Sequence, residues 1–185
     1  MLLYRVFPYV GTAKAGQAGH PLYLHPDQGA GRWDNRSAYL AMYVASQPEG
    51  AIGETFAHLA TWRASMLQFP AVPGAVRSLG VYEVDEEALP LLELDDPKTL
   101  VARAIRPSEV VIRNRPHTQA LALAVFNEHK WSGISWWSMH RPQWQLHVLF
   151  GASMVTVRDV QPLAKNPHLF AAAGRLAKVV RDDLR

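Results

Sequence analysis

Two residues early in the chain have side chains that could bind a small anionic or planar molecule. Arg32 follows Gly31 in a glycine-rich loop, where its planar guanidinium can bind a phosphate or a carboxylate through two hydrogen bonds. Tyr43 lies in an apolar run, and it can stack on a planar ring or donate a hydrogen bond. Each also has an ordinary structural explanation, because Arg32 can pair with Asp34 and Tyr43 can belong to the core.

Glu54 lies on a predicted helix, on the side opposite the apolar face of that helix. The segment Ser46-Gln47-Pro48-Glu49 has the capping-box pattern, which predicts a helix that starts there and ends near Trp62. Glu54 lies about 200° around this helix from Ile52, which faces inward, so its carboxylate points away from the core. A carboxylate in that position can stabilise positive charge on a sugar or hold a ribose hydroxyl. Pairing with His58 is the alternative.

Later in the chain, Ser138 follows a predicted strand, Gly133–Trp137. Its hydroxyl can bind a substrate, or it can simply end the strand. A Ser–His hydrolase with His140 is not favoured, because the Gly-x-Ser-x-Gly elbow of such enzymes is missing.

Other chemistries lack their motifs. The chain has no cysteine, and its eight histidines form no His-Glu-x-x-His pair, so we expect no metal site. No Gly-x-Gly-x-x-Gly or Walker loop is present. A net charge of +3 is spread over scattered Lys and Arg residues, so we expect no nucleic-acid binding. We also expect no signal peptide and no membrane span. The absence of cysteine fits the cytoplasmic location that we expect, and a role as a secreted effector stays open.

The surrounding pattern predicts the elements that must position these residues. Strands are predicted at 2–6, 76–85, 89–94 and 133–137, helices at 46–62 and 118–129, and a β-hairpin between 146–150 and 154–157. The tail 167–184 is amphipathic, with Val179 predicted to face inward, and 11–31 reads as a long loop. Because few βαβ units occur, we predict one α+β domain over residues 1–185.

The order of these residues resembles the RES domain family, which is named for Arg, Glu and Ser. The resemblance rests on the loop Gly31-Arg32-Trp33-Asp34-Asn35, on Tyr43 midway between Arg32 and Glu54, and on the late Gly-Ile-x-aromatic-x-Ser segment that ends at Ser138. It covers residues from about 4 to about 150. Asp34 stands where the family usually has Asn. Trp136-Trp137 replaces Tyr-Pro, a change that could alter the shape of the pocket.

The resemblance implies a mixed, mostly antiparallel sheet like that of ADP-ribosyltransferases and an enzyme that degrades NAD at the nicotinamide–ribose bond. It assigns the pyrophosphate to Arg32, the nicotinamide or its ribose to Tyr43, and charge stabilisation to Glu54. Ser138 would fix the ribose or the amide. Tyr39 competes for the tyrosine role, but Tyr43 has the better spacing.

Further implications concern partners and lesser contacts. Arg5 would be a second phosphate contact, and His140 would line the mouth of the pocket. NAD would be the substrate, with no other cofactor and no metal. The protein would be a bacterial toxin whose separate, DNA-binding antitoxin covers the active site. The acceptor stays open between water, phosphate and a protein side chain, so a protein ADP-ribosyltransferase and an inactive NAD-binding module remain alternatives.

Overall fold

Strands and helices follow one another without a repeating βαβ unit in the computed structural model, which describes residues 1–184. Arg185, the last residue of the predicted domain, lies outside the described residues. The strands are β1 (Leu2–Tyr9), β2 (Met42–Ala45), β3 (Thr61–Trp62), β4 (Val76–Glu83), β5 (Leu91–Glu93), β6 (Gly133–Trp137), β7 (Gln145–Leu149), β8 (Thr156–Pro162) and β9 (Val179–Val180). The helices are α1 (Pro48–Phe56), α2 (Pro97–Ala102), α3 (Pro107–Val111), α4 (Arg115–Phe126) and α5 (Pro167–Arg175).

Seven of the strands form one sheet, in the order β5-β6-β7-β2-β1-β4-β8. Every neighbouring pair is antiparallel except β5 and β6, which are parallel. The predicted α+β class with a mixed, mostly antiparallel sheet is therefore confirmed. The short strands β3 and β9 pair in parallel as a separate ribbon.

Different parts of the chain pack on the two faces of the large sheet. Along β1, Tyr4 and Val6 pack with the cluster that contains Ile52 of α1, because alternate residues of a strand point to opposite faces. Leu3 points the other way and packs against Leu22, which belongs to the long 11–31 loop. The face under α1 carries the site described below.

Helix α1 begins at Pro48, one residue later than a capping box at Ser46 requires, and that prediction was wrong. Gln47 is the N-cap and makes no side-chain cap hydrogen bond. Ser46 instead extends the sheet: its N–H donates to the carbonyl oxygen of Gln145 at 3.1 Å, and its hydroxyl lies 2.7 Å from Nε2 of the buried His147. A serine occupied in this way cannot cap the helix.

The same helix ends at Phe56 and does not reach Trp62. Trp62 belongs to β3, where it pairs with Val180, and its indole N–H donates to the carbonyl oxygen of Phe56 at 3.2 Å. The chain must therefore leave the helix to bring Trp62 into the core, where it is fully buried.

The predicted hairpin and part of the tail are also wrong. Strand β7 pairs with β2 and β6, whereas β8 pairs along β4 at the far edge of the sheet. In the tail, helix α5 ends at Arg175. Val179 lies in β9, in the separate ribbon, and is 57% exposed. Within residues 1–184, no helix combines the length and the apolar character needed to cross a membrane.

Candidate active site

A cleft with two adjoining chambers opens beside α1. The β1 chamber, of about 290 Å³, lies between β1, β2 and α1, and its lining includes Tyr4, Tyr43, Thr55 and Trp136. The arginine chamber, of about 510 Å³, is lined by Arg32, His58, Val111, Arg113, Arg115, Trp137, Met139 and His140. Tyr43, Glu54, Trp136 and Leu146 line both, so they mark the junction. These volumes are in the range of small-molecule sites.

Glu54 projects into this junction from α1. Ile52 and Phe56 of the same helix are fully buried, and Glu54, on the opposite side, is exposed. Among the described residues that line the two chambers, Glu54 supplies the one carboxylate. The helix therefore delivers a single negative charge to the point where the chambers meet.

Ser138 lies behind Glu54 and not in the open cleft. Its side chain is completely buried, and its Oγ donates a hydrogen bond of 2.5 Å to Oε1 of Glu54. The same Oγ accepts from the backbone N–H groups of His140 and Arg141 at 3.1 and 3.4 Å. The hydroxyl has no remaining capacity for a substrate, and its contacts hold the carboxylate in one orientation.

Close packing of α1 against Trp144 brings Glu54 and Ser138 together. A Cβ on Gly53 would lie 2.3 Å from the indole ring of Trp144, so only glycine permits this approach. The backbone N–H of Ser138 donates to the carbonyl oxygen of Trp144 at 2.9 Å, closing the 138–144 loop. The tryptophan that packs on the helix thus also fixes the loop that carries the serine.

Arg32 reaches the arginine chamber from its loop, but it is already partly engaged. Its Nη1 donates to the carbonyl oxygens of Val110 and Ile112 at 2.9 and 2.6 Å, which ties the loop to α3. Burial lowers the pKa of Arg32, and the nearby Arg115 guanidinium lowers it further. The guanidinium is thus held in place by neutral carbonyl groups, and among residues 1–184 it has no ion-pair partner.

Tyr43 organises the loop through its hydroxyl. It donates to Oδ1 of Asp34 at 2.8 Å and accepts from the backbone N–H of Trp33 at 2.9 Å. Oδ2 of Asp34 accepts from the backbone N–H of Gly31 at 2.7 Å. Burial, and then the Asp34 carboxylate, raise the pKa of Tyr43, so the hydroxyl stays protonated. Its ring remains at the junction, edge-on to Trp136 with centroids 6.4 Å apart.

Tyr39, the competing tyrosine, lies in the core and does not line either chamber. Its hydroxyl donates to the carbonyl oxygen of Trp33 and accepts from Nδ2 of Asn35. Burial raises its pKa to about 12. Gln119 of α4 adds a clamp on the loop, because its Nε2 donates to the carbonyl oxygens of Gly29 and Gly31 at 3.0 and 2.8 Å.

The two lesser candidates are placed differently. His140 is exposed and lines the arginine chamber. Arg5 borders the β1 chamber, but its Nη1 donates to the carbonyl oxygen of Tyr23 at 3.3 Å, beneath the 11–31 loop. Burial lowers the pKa of Arg5, and the neighbouring Tyr82 opposes that shift. This contact gives Arg5 a role in anchoring the loop.

Several lining residues were not identified from the sequence. Arg113 and Arg115 flank the N-cap of α4, Asn114, and nothing in their local pattern distinguishes them from surface arginines. Trp136 and Trp137, noted as departures from the family pattern, both line the cleft. Within residues 1–184, no group of three His, Cys, Asp or Glu side chains is arranged to hold a metal ion.

The fold and cleft define an α+β protein in which one carboxylate, that of Glu54, faces the arginine chamber. Comparison with known proteins gives its family. The RES domain family model matches residues 2–170, so the chain belongs to the RES domain family. This confirms the resemblance. A chain in the crystal structure of the M. tuberculosis MbcT–MbcA toxin–antitoxin complex is similar in fold, with a TM-score of 0.62 and 15% identity over 96% of this chain and 89% of that chain. No curated protein matches.

Proposed function

We propose that this protein cleaves the nicotinamide–ribose bond of NAD. The observation that carries the proposal is the position of Glu54, whose carboxylate is held by Ser138 at the junction of the β1 chamber and the arginine chamber. NAD has a flat nicotinamide ring at one end, and a diphosphate lies beyond the ribose to which that ring is attached. A cleft with these two linings and one anion between them suits such a molecule.

One carboxylate is enough for this reaction because of the leaving group. Ordinary glycosides need a general acid to protonate the departing oxygen, and their hydrolases therefore use two carboxylates. The nicotinamide of NAD is already a cation. When its C–N bond breaks, both electrons go to nitrogen and neutral nicotinamide leaves without a proton. Positive charge is then left on the ribose, where Glu54 would stabilise it and hold the ribose hydroxyls.

The other residues would orient the substrate and the carboxylate. The Tyr43 and Trp136 rings would pack against the nicotinamide nucleoside, and Arg32 would face the diphosphate. Ser138 would act on Glu54, because its hydroxyl is buried and fully used. Water or phosphate would then attack the anomeric carbon. Water gives ADP-ribose and releases a proton, whereas phosphate gives a phosphorylated ADP-ribose.

We also propose that the protein is a cytoplasmic toxin inhibited by a separate, DNA-binding antitoxin. Membership of the RES domain family supports this, and the MbcT–MbcA structure, similar in fold, is that of a toxin–antitoxin complex. An antitoxin that covered the cleft mouth near His140 and Met139 would block entry of NAD. Met139 is 49% exposed there, which provides apolar surface for such a contact.

The test is NAD consumption by purified protein, with and without inorganic phosphate, alongside a Glu54→Gln variant. Gln keeps the size of the side chain and an oxygen for the Ser138 hydroxyl, but it removes the charge. We expect wild-type protein to release nicotinamide and the variant to be slower by about 100-fold or more. Glu87→Gln, an exposed glutamate outside both chambers, is the matched control and should behave as wild type.

The products identify the acceptor and separate the alternatives. Free ADP-ribose indicates hydrolysis, and a product that forms only with phosphate indicates phosphorolysis. ADP-ribose attached to protein would identify a protein ADP-ribosyltransferase. NAD that stays intact under all conditions, despite measurable binding, would contradict the proposal and leave an NAD-binding module.

A further inference from the structure

The arginine chamber has a strong excess of positive charge. Arg32 reaches it from the loop before β2, Arg113 from the segment after α3, and Arg115 from the first turn of α4. His58 and His140 lie in the same lining, and the one carboxylate of the described lining, Glu54, stands at the junction. Three arginines from two parts of the chain therefore converge on one concave surface.

No described carboxylate lies within ion-pair distance of these arginines. Within residues 1–184, none of the three arginines takes part in an ion pair, and Arg113 makes no hydrogen bond. Nη1 of Arg115 is buried and has no hydrogen-bond partner. A buried donor without a protein partner is uncommon in folded proteins, and this N–H group is available to an acceptor that enters the chamber. The carbonyl oxygens that accept from Arg32 carry no full charge.

Two of the guanidinium groups are fixed by a reciprocal clasp. Nε of Arg115 donates to the carbonyl oxygen of Ala30 at 3.1 Å, in the loop that carries Arg32. Arg32 in turn donates to the carbonyl oxygens of Val110 and Ile112, in the segment that leads to Arg115. Two like charges are thus held near one another by their own backbone contacts. An anion between them would relieve the repulsion and satisfy the free donor.

The position of Glu54 fixes which part of the substrate reaches this chamber. If the bond that breaks lies beside Glu54, the nicotinamide ring and the ADP-ribose part of the substrate extend in opposite directions from the junction. The nicotinamide side needs flat apolar walls, which Tyr4, Tyr43 and Trp136 offer in the β1 chamber. The diphosphate side needs cations, and these line the arginine chamber.

We infer that Arg113 and Arg115 form, with Arg32, the site for the diphosphate of the substrate, and that the nicotinamide ring enters the β1 chamber. This assignment rests on the proposed function for the identity of the substrate. The presence of a diphosphate site in the arginine chamber does not depend on catalysis. Arg113 and Arg115 are binding residues in this scheme, because they lie beyond the junction where the bond breaks.

The test measures binding of ADP, which has the diphosphate but no nicotinamide and cannot be cleaved at that bond. Isothermal titration of wild-type protein should show ADP binding tighter than adenosine binding, with an affinity that falls as salt increases. Arg115→Gln and Arg113→Gln should each weaken ADP binding by about 10-fold, the usual cost of one charge-assisted contact, and leave adenosine binding unchanged. Arg158→Gln, an exposed arginine on β8, is the matched control.

The Arg113→Gln variant distinguishes a loss of ADP binding from a folding defect. Arg113 is exposed and holds no other residue in place, so its variant should unfold at the wild-type temperature even if the Arg115 variant does not. Equal ADP affinity in wild type and both variants would overturn the inference, as would wild-type ADP binding no tighter than adenosine. If ADP binds as expected but NAD is never cleaved, the proposed function fails and the diphosphate site stands.

Discussion

Replacement of Ser138 by alanine should reduce turnover by acting on Glu54 and not on the substrate. In the native protein, the Ser138 hydroxyl donates to Glu54 at 2.5 Å and is itself fully buried. Without it, the Glu54 side chain, which is exposed on its other side, is free to rotate into solvent. The carboxylate would then spend only part of its time beside the ribose.

The size of the effect follows from the kind of hydrogen bond. A hydrogen bond to a charged group contributes about 1.5–3 kcal/mol, which corresponds to a 10- to 150-fold change in rate if all of it orients the carboxylate. We therefore expect kcat for NAD cleavage to fall by about 10- to 100-fold, with KM nearly unchanged. The free energy of unfolding should also fall by about 1–3 kcal/mol, because the N–H groups of His140 and Arg141 lose their acceptor.

A double-mutant cycle separates this role from a direct substrate contact. If Ser138 acts only through Glu54, the Glu54→Gln/Ser138→Ala double variant should be no slower than Glu54→Gln alone. Ser78→Ala, which removes another buried serine hydroxyl that lines neither chamber, controls for stability. The reasoning is refuted if the two single effects add, or if Ser138→Ala raises KM while kcat stays at the wild-type value.

Two further predictions concern the loop and the pH dependence of stability. In a Gly31→Ala variant, the new Cβ would lie 2.4 Å from Asp34 and 2.5 Å from the Tyr43 hydroxyl, so the loop must shift. The rate of NAD cleavage should therefore fall at least about 10-fold. An unchanged rate would show that cleavage does not depend on the conformation of this loop. Burial lowers the pKa of His147 from 6.5 to about 4. As pH falls below 6.5, the unfolded chain therefore takes up a proton before the folded protein does, and the free energy of unfolding falls progressively down to about pH 4. Urea unfolding should show wild type losing about 2 kcal/mol more than His147→Gln between pH 7.5 and pH 5, and equal losses would contradict the assignment.

Local sequence patterns predicted most strands but not all of their partners. The bounds of β6 agree with the prediction at 133–137, because a short run of apolar residues after a glycine is a local signal. The hairpin between β7 and β8 was wrong because a turn signal shows only that the chain reverses. Strands β2, β1 and β4 lie between them, and that order is set by long-range burial.

The site was predictable only where a residue could be recognised by its motif or by helix geometry. The rotation of Glu54 away from Ile52 follows from the period of a helix, and the structure places Glu54 in the cleft as that geometry requires. The role of Ser138 could not be read in the same way, since it depends on Trp144 packing against Gly53. Arg113 and Arg115 are likewise defined by convergence in space.

The aspartate at position 34, where the family usually has asparagine, fits its hydrogen bonds better than an amide would. The Tyr43 hydroxyl accepts from the N–H of Trp33 and so must donate its own proton, which it gives to Oδ1 of Asp34. Oδ2 meets a second donor, the N–H of Gly31. A carboxylate accepts through both oxygens, whereas an asparagine would turn its NH₂ group toward one of these donors. The departure therefore preserves the loop that carries Arg32, and it ties the tyrosine and the arginine of the motif into one unit.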